Sequence, residues 1–376
     1  MATETDSRFT VTYHIDVPTY EEAKAIAWGV QVEQTIEFPY EFVENEWIKE
    51  HVVGRLDSLE PSAEGGFDAV IAYNEDTTAM EATQFLNVVF GNSSLQPHIW
   101  VTDVQLTPNL ASTFGGPRFG LAGLREMTGT YNRPLLQAVI KPMGNSTEDL
   151  AAMCSAYTRG GVDVIKDDHG ITNQRFAPYM ERVKRCAATI AEANEAVGGH
   201  TIYAANVSAD GEAVLERAYA AKEAGATALM VAPALVGYGW LHRLAKDPGL
   251  NMPIISHPAM MGGFALPGVS GIADHLWFAL FPRIFGADMP IFVSYGGRFT
   301  FKAPQCKKIH ETCSMPYHGL KAACPSPGGG VTAKRLPELM SLYGPDTMYL
   351  VGGDMFRRGR DLEANTKYFI SILEGK

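Results

Sequence analysis

Residues 135–167 read LLQAVIKPMGNSTEDLAAMCSAYTRGGVDVIKD, and this stretch decides the fold. Two short, mostly apolar runs, 135–141 and 162–167, flank a longer segment with the spacing of an amphipathic helix. Strands that are apolar on both faces belong to parallel sheets whose two faces are covered by helices. A strand, a helix and a second such strand in this order therefore predict one βα unit followed by a parallel partner strand.

The same alternation of strand and helix patterns continues toward the end of the chain. Six more strand-like runs follow, at 201–208, 228–235, 253–257, 290–295, 320–326 and 347–353. Eight βα units in about 240 residues are typical of a (β/α)8 TIM barrel. A doubly wound open sheet is the alternative, but it usually has fewer strands and a GxGxxG motif after the first strand, and neither feature is present.

The first hundred residues follow a different pattern. In 9–17 apolar and polar residues alternate, which predicts a strand with one buried face. Two helix-like and two further strand-like segments complete the pattern, at 20–31, 80–90, 67–73 and 99–106. This order predicts a small α+β domain of the ferredoxin-like kind over 1–115, followed by the barrel domain over 116–376.

Composition excludes several classes of function. Of the 376 residues 46% are hydrophobic and 19% are charged, which is typical of a globular protein, and the net charge is −11. Because nucleic-acid binding needs a basic surface, we expect no nucleic-acid partner. Five scattered cysteines without a CxxC pair indicate reduced thiols. No apolar run approaches the roughly 20 residues of a membrane span, and 1–16 lacks the features of a signal peptide, so we expect a cytoplasmic protein with no membrane partner.

The end of the second barrel strand carries the most distinctive cluster, Lys-Asp-Asp-His at 166–169. Strand alternation places Lys166 and Asp168 on one face, and His169 can turn toward the same point. Carboxylates and an imidazole suit a divalent metal, and hard oxygen ligands favour Mg²⁺. A buried lysine tends to lose its proton, and a neutral amine can take up CO2 as a carbamate. The alternative is a structural Lys–Asp ion pair with a solvated histidine.

Other strand ends and loops carry further candidates, since function in a barrel resides where strands end and loops begin. Four polar residues lie at or just after the first, third, fifth and sixth strands: Lys141, Asn206, His257 and Arg298. Glycine runs at 328–330 and 352–353 follow the seventh and eighth strands, where barrels bind phosphate through backbone N–H groups. The alternatives are glycine loops that need positive φ and, for His257 alone, a buried core histidine.

These segments resemble the large subunit of ribulose-bisphosphate carboxylase and, more closely, the RuBisCO-like proteins of form IV, which share the fold but do not fix carbon. The resemblance covers nearly the whole chain and is most specific in GGVDVIKDDHGITNQRFAPYMERV (160–183). Shorter segments also match: RPLL (133–136) with IKP (140–142), SHPAM (256–260), LPELMSLYG (336–344), LVGGD (350–354) and FGN (90–92).

The resemblance implies a role for each residue of the central cluster. Lys166 matches the lysine that is carbamylated, and Asp168 matches a metal-ligand aspartate. His169 stands where the family has a glutamate ligand. Lys141 matches an active-site lysine involved in proton transfer, and His257 matches an active-site histidine.

The resemblance also implies a phosphate site and a subunit interface. Backbone phosphate binding falls to the glycines of the two loops, namely Gly329, Gly330, Gly352 and Gly353. Asn206 and Arg298 are further candidates for contact with the substrate. Asn92 matches a catalytic asparagine that the partner subunit's N-terminal domain contributes, which implies a homodimer with the active site at the subunit interface.

Departures from the family pattern argue against carboxylation. Met143 replaces a lysine, Pro258 replaces a phosphate-binding arginine, and 289–294 lacks the histidine expected on the sixth strand. Arg298, not lysine, is nearest to the residue that polarises CO2. One phosphate site remains, so we expect a monophosphate or an acid sugar as substrate.

We therefore expect a metal-dependent enzyme that forms an enolate or enediolate from a phosphorylated keto-sugar or keto-acid, with an isomerase, enolase or decarboxylase outcome. The expected cofactors are CO2, as a carbamate on Lys166, and Mg²⁺ or a softer divalent ion because of His169. A non-catalytic sugar-phosphate-binding protein and a retained ribulose-bisphosphate carboxylase are the alternatives. An amidohydrolase-like barrel would need His-x-His where Ile140-Lys141-Pro142 stands.

Overall fold

The computed structural model describes residues 7–266, 268–297 and 299–376. In chain order the strands are β1 Arg8–Ile15, β2 Arg55–Pro61, β3 Phe67–Asn74, β4 Ile99–Gln105, β5 Leu135–Ile140, β6 Val164–Asp167, β7 Ile202–Asn206, β8 Ala228–Val231, β9 Ile254–Ser256, β10 Ser270–Ile272, β11 Met289–Val293, β12 Ser326–Gly328 and β13 Met348–Val351. The helices are α1 Tyr20–Glu33, α2 Ala82–Phe90, α3 Pro108–Phe114, α4 Gly120–Thr128, α5 Thr147–Arg159, α6 Tyr179–Val197, α7 Ala213–Glu223, α8 Pro233–Val236, α9 Tyr238–Lys246, α10 Gly262–Ala265, α11 Phe281–Ile284, α12 Ala303–Ser314, α13 Leu336–Tyr343 and α14 Leu362–Leu373.

The first compact unit contains a five-stranded sheet with the order β10-β4-β1-β3-β2. β1 lies between β3 and β4, antiparallel to both. Its apolar residues are fully buried and alternate with partly exposed polar ones, as the sequence pattern predicted. The order β1-α1-β2-β3-α2-β4 with this arrangement of strands is ferredoxin-like, so the predicted α+β fold is confirmed.

Two strands of this sheet were not predicted from the sequence. In β2, RLDSLEP, only Leu59 is buried, because β2 lies at an edge of the sheet and its side chains mostly face solvent. β10 has three residues and pairs in parallel with β4, Gly271 opposite Trp100. A strand this short has no periodicity that could be recognised in the sequence.

The first unit comprises Met1–Gly115, Met261–Trp277 and Tyr317–Leu320, and the remainder of the chain forms the second unit. The later two segments lie inside the range 116–376 that the sequence assigned to the barrel. They belong to the first unit because β10 extends its sheet and because the Tyr317 hydroxyl donates a hydrogen bond to Val104 O (2.9 Å). These contacts join residues far apart in the chain, so no local pattern indicates them.

The second unit contains eight strands in the order β12-β11-β9-β8-β7-β6-β5-β13, all paired in parallel. Met348 N donates to Pro325 O (2.9 Å), which joins the two ends of this order. Side chains from around the sheet fill a common interior: Leu135, Val164, Ile202, Ala204, Ala228, Met230, Ile255, Met289, Ile291, Cys324 and Met348. The predicted (β/α)8 architecture is thus confirmed.

The predicted position of the seventh barrel strand was wrong. The sequence pattern placed it at 320–326, whereas β12 is Ser326–Gly328, so Gly328 of the predicted loop pairs with Val293. Ala323 and Cys324 are buried as strand residues would be, but the N–H of Ala323 donates to Cys313 O. The apolar pattern of 320–326 therefore reflects burial and not strand pairing, because a buried irregular segment is shielded from water as well as a strand is.

Local sequence explains the elements that surround β5 and β6. α5 begins after Ser146, whose hydroxyl accepts from Asp149 N while the Asp149 carboxylate accepts from Ser146 N, a reciprocal capping box. α6 is terminated by its C-cap Gly198, which has φ +64°.

Within the described residues, no helix combines the length and the apolar character needed to cross a membrane.

Candidate active site

The carboxyl ends of β5, β6 and β9 bring the predicted catalytic side chains of the second unit together. Lys141 directly follows β5, and His257 directly follows β9. Val139 of β5 pairs with Lys166 of β6. Val164 fills the barrel interior, and Lys166, two positions on, faces the same way because side chains alternate along a strand.

Lys166 is the buried cation of the site, with 2% of its surface exposed. Its Nζ donates to the carbonyl oxygen of Asp167 (3.0 Å). Burial lowers the pKa of Lys166 to about 8. The negative charge of Asp168 opposes this decrease, whereas the positive charge of Lys141 adds to the decrease. At neutral pH roughly a tenth of the amine is then uncharged, far more than for a solvated lysine.

Asp168 is the carboxylate around which the site is arranged. Its Oδ2 lies 3.8 Å from Lys141 Nζ, and its Oδ1 lies 3.5 Å from His169 Nδ1. Oδ1 also accepts from Gly170 N (3.0 Å), which forms a tight turn just after β6. The carboxylate therefore faces an amine on one side and an imidazole on the other.

The imidazoles of His169 and His257 stack, with ring centroids 4.2 Å apart and planes 15° apart. His257 Nδ1 accepts from Ala259 N (3.1 Å), so a neutral ring carries its proton on Nε2. Burial, and then the positive charges of Lys166, His169 and Lys141, lower the pKa of His257 well below its ordinary value. His257 is therefore a neutral imidazole that can donate from Nε2.

Asp167, the other aspartate of the cluster, faces away from the site. Its Oδ1 accepts from the Tyr203 hydroxyl (2.9 Å), and its Oδ2 accepts from Arg182 Nη2 (3.2 Å) and Asn206 N (2.9 Å). These residues are all buried. The sequence did not single out Arg182 or Tyr203, since a buried partner contributed by another element leaves no local signal.

Asn206, predicted to contact the substrate, has its side-chain amide engaged by the protein itself. Nδ2 donates to the carbonyl oxygens of His169 and Ile171, both at 3.1 Å, and Oδ1 accepts from Ser208 N (3.1 Å). The side-chain amide of Asn206 therefore contacts the backbone of the loop that carries His169. Contact of Asn206 with a substrate stays a prediction.

The glycines predicted to bind phosphate lie on the loops after β12 and β13. Gly329 and Gly330 have φ of +77° and +153°. A Cβ on Gly352 would lie 3.2 Å from Lys141 Nζ, whereas a Cβ on Gly353 would meet open space. Bare backbone therefore lies next to the Lys141 amine, as a phosphate site requires. Arg298, also predicted to bind substrate, lies outside the described residues.

Asp354 follows these glycines, and its negative charge would repel a phosphate. Its carboxylate interacts with two nearby groups of the protein. Its Oδ1 lies 2.9 Å from Arg357 Nε, and its Oδ2 accepts from Ala333 N (2.9 Å). Arg357 thus offsets the carboxylate charge beside the predicted phosphate loop.

Asn92 belongs to the first unit, on the single turn Asn92–Leu95. Its Nδ2 donates to Glu33 Oε1 (2.9 Å), and Glu33 is the last residue of α1. One of the two N–H groups of the amide is thereby engaged. Glu33 was not singled out from the sequence, because 59 residues separate it from Asn92.

The groups around Asp168 decide whether the site can hold the predicted metal. Among residues 7–266, 268–297 and 299–376, no three His, Cys, Asp or Glu side chains lie close enough together to hold a metal ion. Asp168 and His169 supply two adjacent donors, and the third position next to them is the Lys166 amine. A carbamate on that buried amine would add anionic oxygens, so the residues fit a divalent ion when Lys166 is carbamylated.

Fold and site together define the class of barrel proteins that carry a Lys-Asp-Asp cluster at the end of the second barrel strand and a ferredoxin-like unit before the barrel. Residues 120–294 match the family model described as ribulose bisphosphate carboxylase large chain, catalytic domain. The chain belongs to the ribulose bisphosphate carboxylase large-chain family, among its RuBisCO-like proteins. The resemblance inferred from the sequence is thus confirmed.

Three relatives illustrate the similarity. The 5-methylthioribulose-1-phosphate isomerase of Rhodospirillum rubrum is 32% identical over 370 residues, 98% of this chain and 96% of that one. The 2,3-diketo-5-methylthiopentyl-1-phosphate enolase of Bacillus pumilus is 28% identical over 373 residues, 97% of this chain and 91% of that one. The crystal structure of a Rubisco-like protein from Rhodopseudomonas palustris has a TM-score of 0.88 and 34% identity, covering 98% of each chain. The names of the first two support an enzyme of the isomerase or enolase type.

Proposed function

We propose that this protein catalyses the enolisation of a monophosphorylated keto-sugar, as an isomerase or enolase and not as a carboxylase. The observation that carries the proposal is the buried Lys166 amine with its lowered pKa, beside Asp168 and Lys141 at the mouth of the barrel. A site that removes a proton next to a carbonyl group needs a base near neutrality and cationic groups for the charge that develops on oxygen.

The proposed cofactors are CO2 and a divalent cation. Lys166, as its carbamate, with Asp168 and His169 would hold the cation. Oxygen ligands favour Mg²⁺, whereas the imidazole favours a softer ion such as Mn²⁺. When bound, such an ion polarises the substrate carbonyl and stabilises negative charge on its oxygen.

Lys141 is the residue proposed to move the proton. Its amine lies 3.8 Å from Asp168 Oδ2 and beside Gly352 of the phosphate loop, between the two places where the substrate would be held. From there Lys141, in its uncharged form, would take the proton from the carbon next to the carbonyl, with the carbamate on Lys166 as the alternative base. The neutral His257 donates from Nε2 to a substrate oxygen and so orients the enolate.

The proposed substrate has one phosphate and an apolar end. The glycines at 329–330 and 352–353 would bind the phosphate. Met143 and Pro258 stand where the resemblance expects cationic residues, which removes support for a second phosphate. A Cβ on Gly170 would lie 2.9 Å from Met143 Cε and 3.3 Å from Asp168 Oδ1, so the exposed Met143 side chain adds apolar surface beside the same glycine as the carboxylate. The methylthio sugar phosphates named for the two relatives fit this description.

Solvent-deuterium exchange followed by proton NMR tests the function. With 5-methylthioribulose 1-phosphate or 2,3-diketo-5-methylthiopentyl 1-phosphate, added divalent cation and bicarbonate, the wild-type protein is expected to exchange the proton next to the carbonyl. Lys166→Ala is expected to slow the exchange at least about a hundredfold, and Lys184→Ala, an exposed lysine on α6, is the matched control.

Two outcomes of this experiment, and one of a separate assay with ribulose bisphosphate, would contradict the proposal. Undiminished exchange by a folded Lys166→Ala protein would remove Lys166 from the mechanism. Binding of the sugar phosphates without any exchange by the wild type would identify a non-catalytic binding protein. Turnover of ribulose bisphosphate with CO2 would identify a retained carboxylase.

A further inference from the structure

A buried polar network behind the loop 168–178 holds the backbone that carries Asp168 and His169. Asn206, at the end of β7, contributes one part of it and has no exposed surface. Both donors of its side-chain amide are used on carbonyl oxygens of this loop, those of His169 and Ile171. One side chain thus fixes the residues on either side of Gly170.

Arg182 of α6 contributes the second part of the network and is also fully buried. Its Nη1 donates to the carbonyl oxygens of Thr172 (2.8 Å) and Ala177 (3.0 Å), in the later half of the same loop. Asp167 Oδ2 accepts from both Arg182 Nη2 and Asn206 N. The two halves of the loop are therefore held by side chains that share one buried carboxylate.

The direction of the His169 side chain needs such support. Its imidazole is 47% exposed, so packing alone does not hold it, yet it stacks on His257 and lies 3.5 Å from Asp168 Oδ1. A fixed backbone sets the direction of the Cα–Cβ bond and so limits the positions that a half-exposed imidazole can reach. The hydrogen bond of Asn206 to the carbonyl oxygen of His169 itself supplies this constraint.

We propose that Asn206 is a positioning residue, not a substrate contact, and that it sets the direction of His169 for metal binding. The metal part of this inference rests on the proposed function, whereas the positioning of the loop does not. Residues that orient metal ligands typically alter metal affinity by about 10–100-fold when they are replaced.

Asn206→Asp tests the proposal with little change of shape. The substitution replaces the donating NH2 group by a carboxylate oxygen, which would face the two carbonyl oxygens and repel them. Asn194→Asp is the matched control. Asn194 also donates from Nδ2 to a loop carbonyl, that of Thr201 (3.0 Å), but on the loop between α6 and β7, at the end of the barrel away from the site.

Two measurements read out the effect without enzyme activity. Hydrogen exchange of the amides at 169–172 in the metal-free protein is expected to accelerate in Asn206→Asp and to stay unchanged in Asn194→Asp. Mn²⁺ binding followed by electron paramagnetic resonance, in the presence of bicarbonate, is expected to weaken by about 10–100-fold in Asn206→Asp only. Should Asn206→Asp fail to fold, Asn206→Ala removes the donors without adding charge and is expected to change both measurements in the same direction.

The outcomes separate this inference from the proposed function. Unchanged amide exchange and unchanged Mn²⁺ affinity in a folded Asn206 variant would overturn the positioning role. Faster amide exchange with unchanged Mn²⁺ affinity would overturn the link to the metal. A wild-type protein that fails to enolise the sugar phosphates would refute the proposed function, and the amide exchange of the variants would still report on the loop.

Discussion

The side chains of three consecutive residues lie in two different environments: Lys166, Asp167 and Asp168. Lys166 and Asp168 face the site, whereas Asp167 pairs with Arg182 and Tyr203 behind the strand. The physical reason is the alternation of side chains along β6, which sends neighbours to opposite faces. A change of one residue in the register of β6 would exchange these roles.

His169 is the residue at which metal preference can be tested. His169→Glu restores the carboxylate of the family pattern and is expected to raise the affinity for Mg²⁺ relative to Mn²⁺ by about tenfold, because carboxylate oxygen is the harder ligand. Competition of Mg²⁺ with bound Mn²⁺, followed by electron paramagnetic resonance, measures the ratio. His169→Gln, which is neutral, is the control and is expected to weaken binding of both ions. An unchanged ratio in His169→Glu would show that residue 169 is not a ligand.

His310 is expected to make stability depend on pH. Burial lowers the pKa of His310 to about 4, and Asp346 partly opposes the shift. The unfolded chain, with a pKa near 6.5, binds more protons between these values, so stability falls as pH falls from about 6.5 to about 4. The full effect is on the order of 3 kcal/mol.

The substitution His310→Gln removes this titration. Glutamine can keep a hydrogen bond to Thr347 Oγ1, which lies 2.8 Å from His310 Nε2. Urea unfolding at several pH values is expected to show that the variant loses less stability than the wild type between pH 7 and about 4.5. Parallel curves for the two proteins would rule out His310 as the titrating group.

At the scale of elements, the loops after β11 and β12 meet through glycine. A Cβ on Gly330 would lie only 2.3 Å from Gly297 Cα, and a Cβ on Gly297 would lie 2.4 Å from Gly329 O. Backbone segments this close leave no space for a side chain. The glycine run therefore serves the contact between the two loops as well as the proposed phosphate site.

Gly330→Ala tests this contact. The substitution is expected to lower the free energy of unfolding by about 1–3 kcal/mol, since φ is +153° and the neighbouring backbone must move. Gly198→Ala, at φ +64° and ψ +33° with open space around it, is the control and carries only the conformational cost of roughly 1 kcal/mol. Chemical denaturation measures both. Equal losses in the two variants would mean that the loops separate without cost.

At the scale of the whole molecule, we propose a homodimer in which the first unit of one subunit completes the site of its partner. The family resemblance motivates this proposal through Asn92, whose amide is oriented by Glu33. The barrel residues of the proposed site all belong to the second unit, whereas Asn92 belongs to the first.

Mixing two inactive variants tests whether Asn92 acts across subunits. Asn92→Ala and Lys166→Ala homodimers are each expected to be inactive. Random exchange of subunits makes half of the dimers mixed, each with one intact site of two, so the mixture is expected to recover about a quarter of the wild-type activity. Sedimentation analysis checks the dimer. No recovery despite verified exchange would place Asn92 in the site of its own chain or outside any site.

Local patterns in the sequence were sufficient to predict the class of fold and to propose the centre of a site. Alternation of apolar and polar residues identified β1, and apolar runs identified most barrel strands. Burial of one or both faces of a strand determines at each position whether an apolar residue is needed, so it leaves a pattern in the sequence. The cluster 166–169 could be recognised in the same way. Strand alternation and the rule that a buried charge requires a partner both apply to residues that are close together in the sequence.

Only the tertiary structure decided the features that depend on partners far along the chain. The stacking of His169 on His257, the engagement of Asn206 by the loop 168–178 and the return of β10 to the first sheet each join separate elements. The apolar run at 320–326 misled because it is buried without pairing as a strand over its length. A hydrogen bond or stacked pair between distant residues imposes no period on the sequence, so its existence follows from the packing of the whole chain.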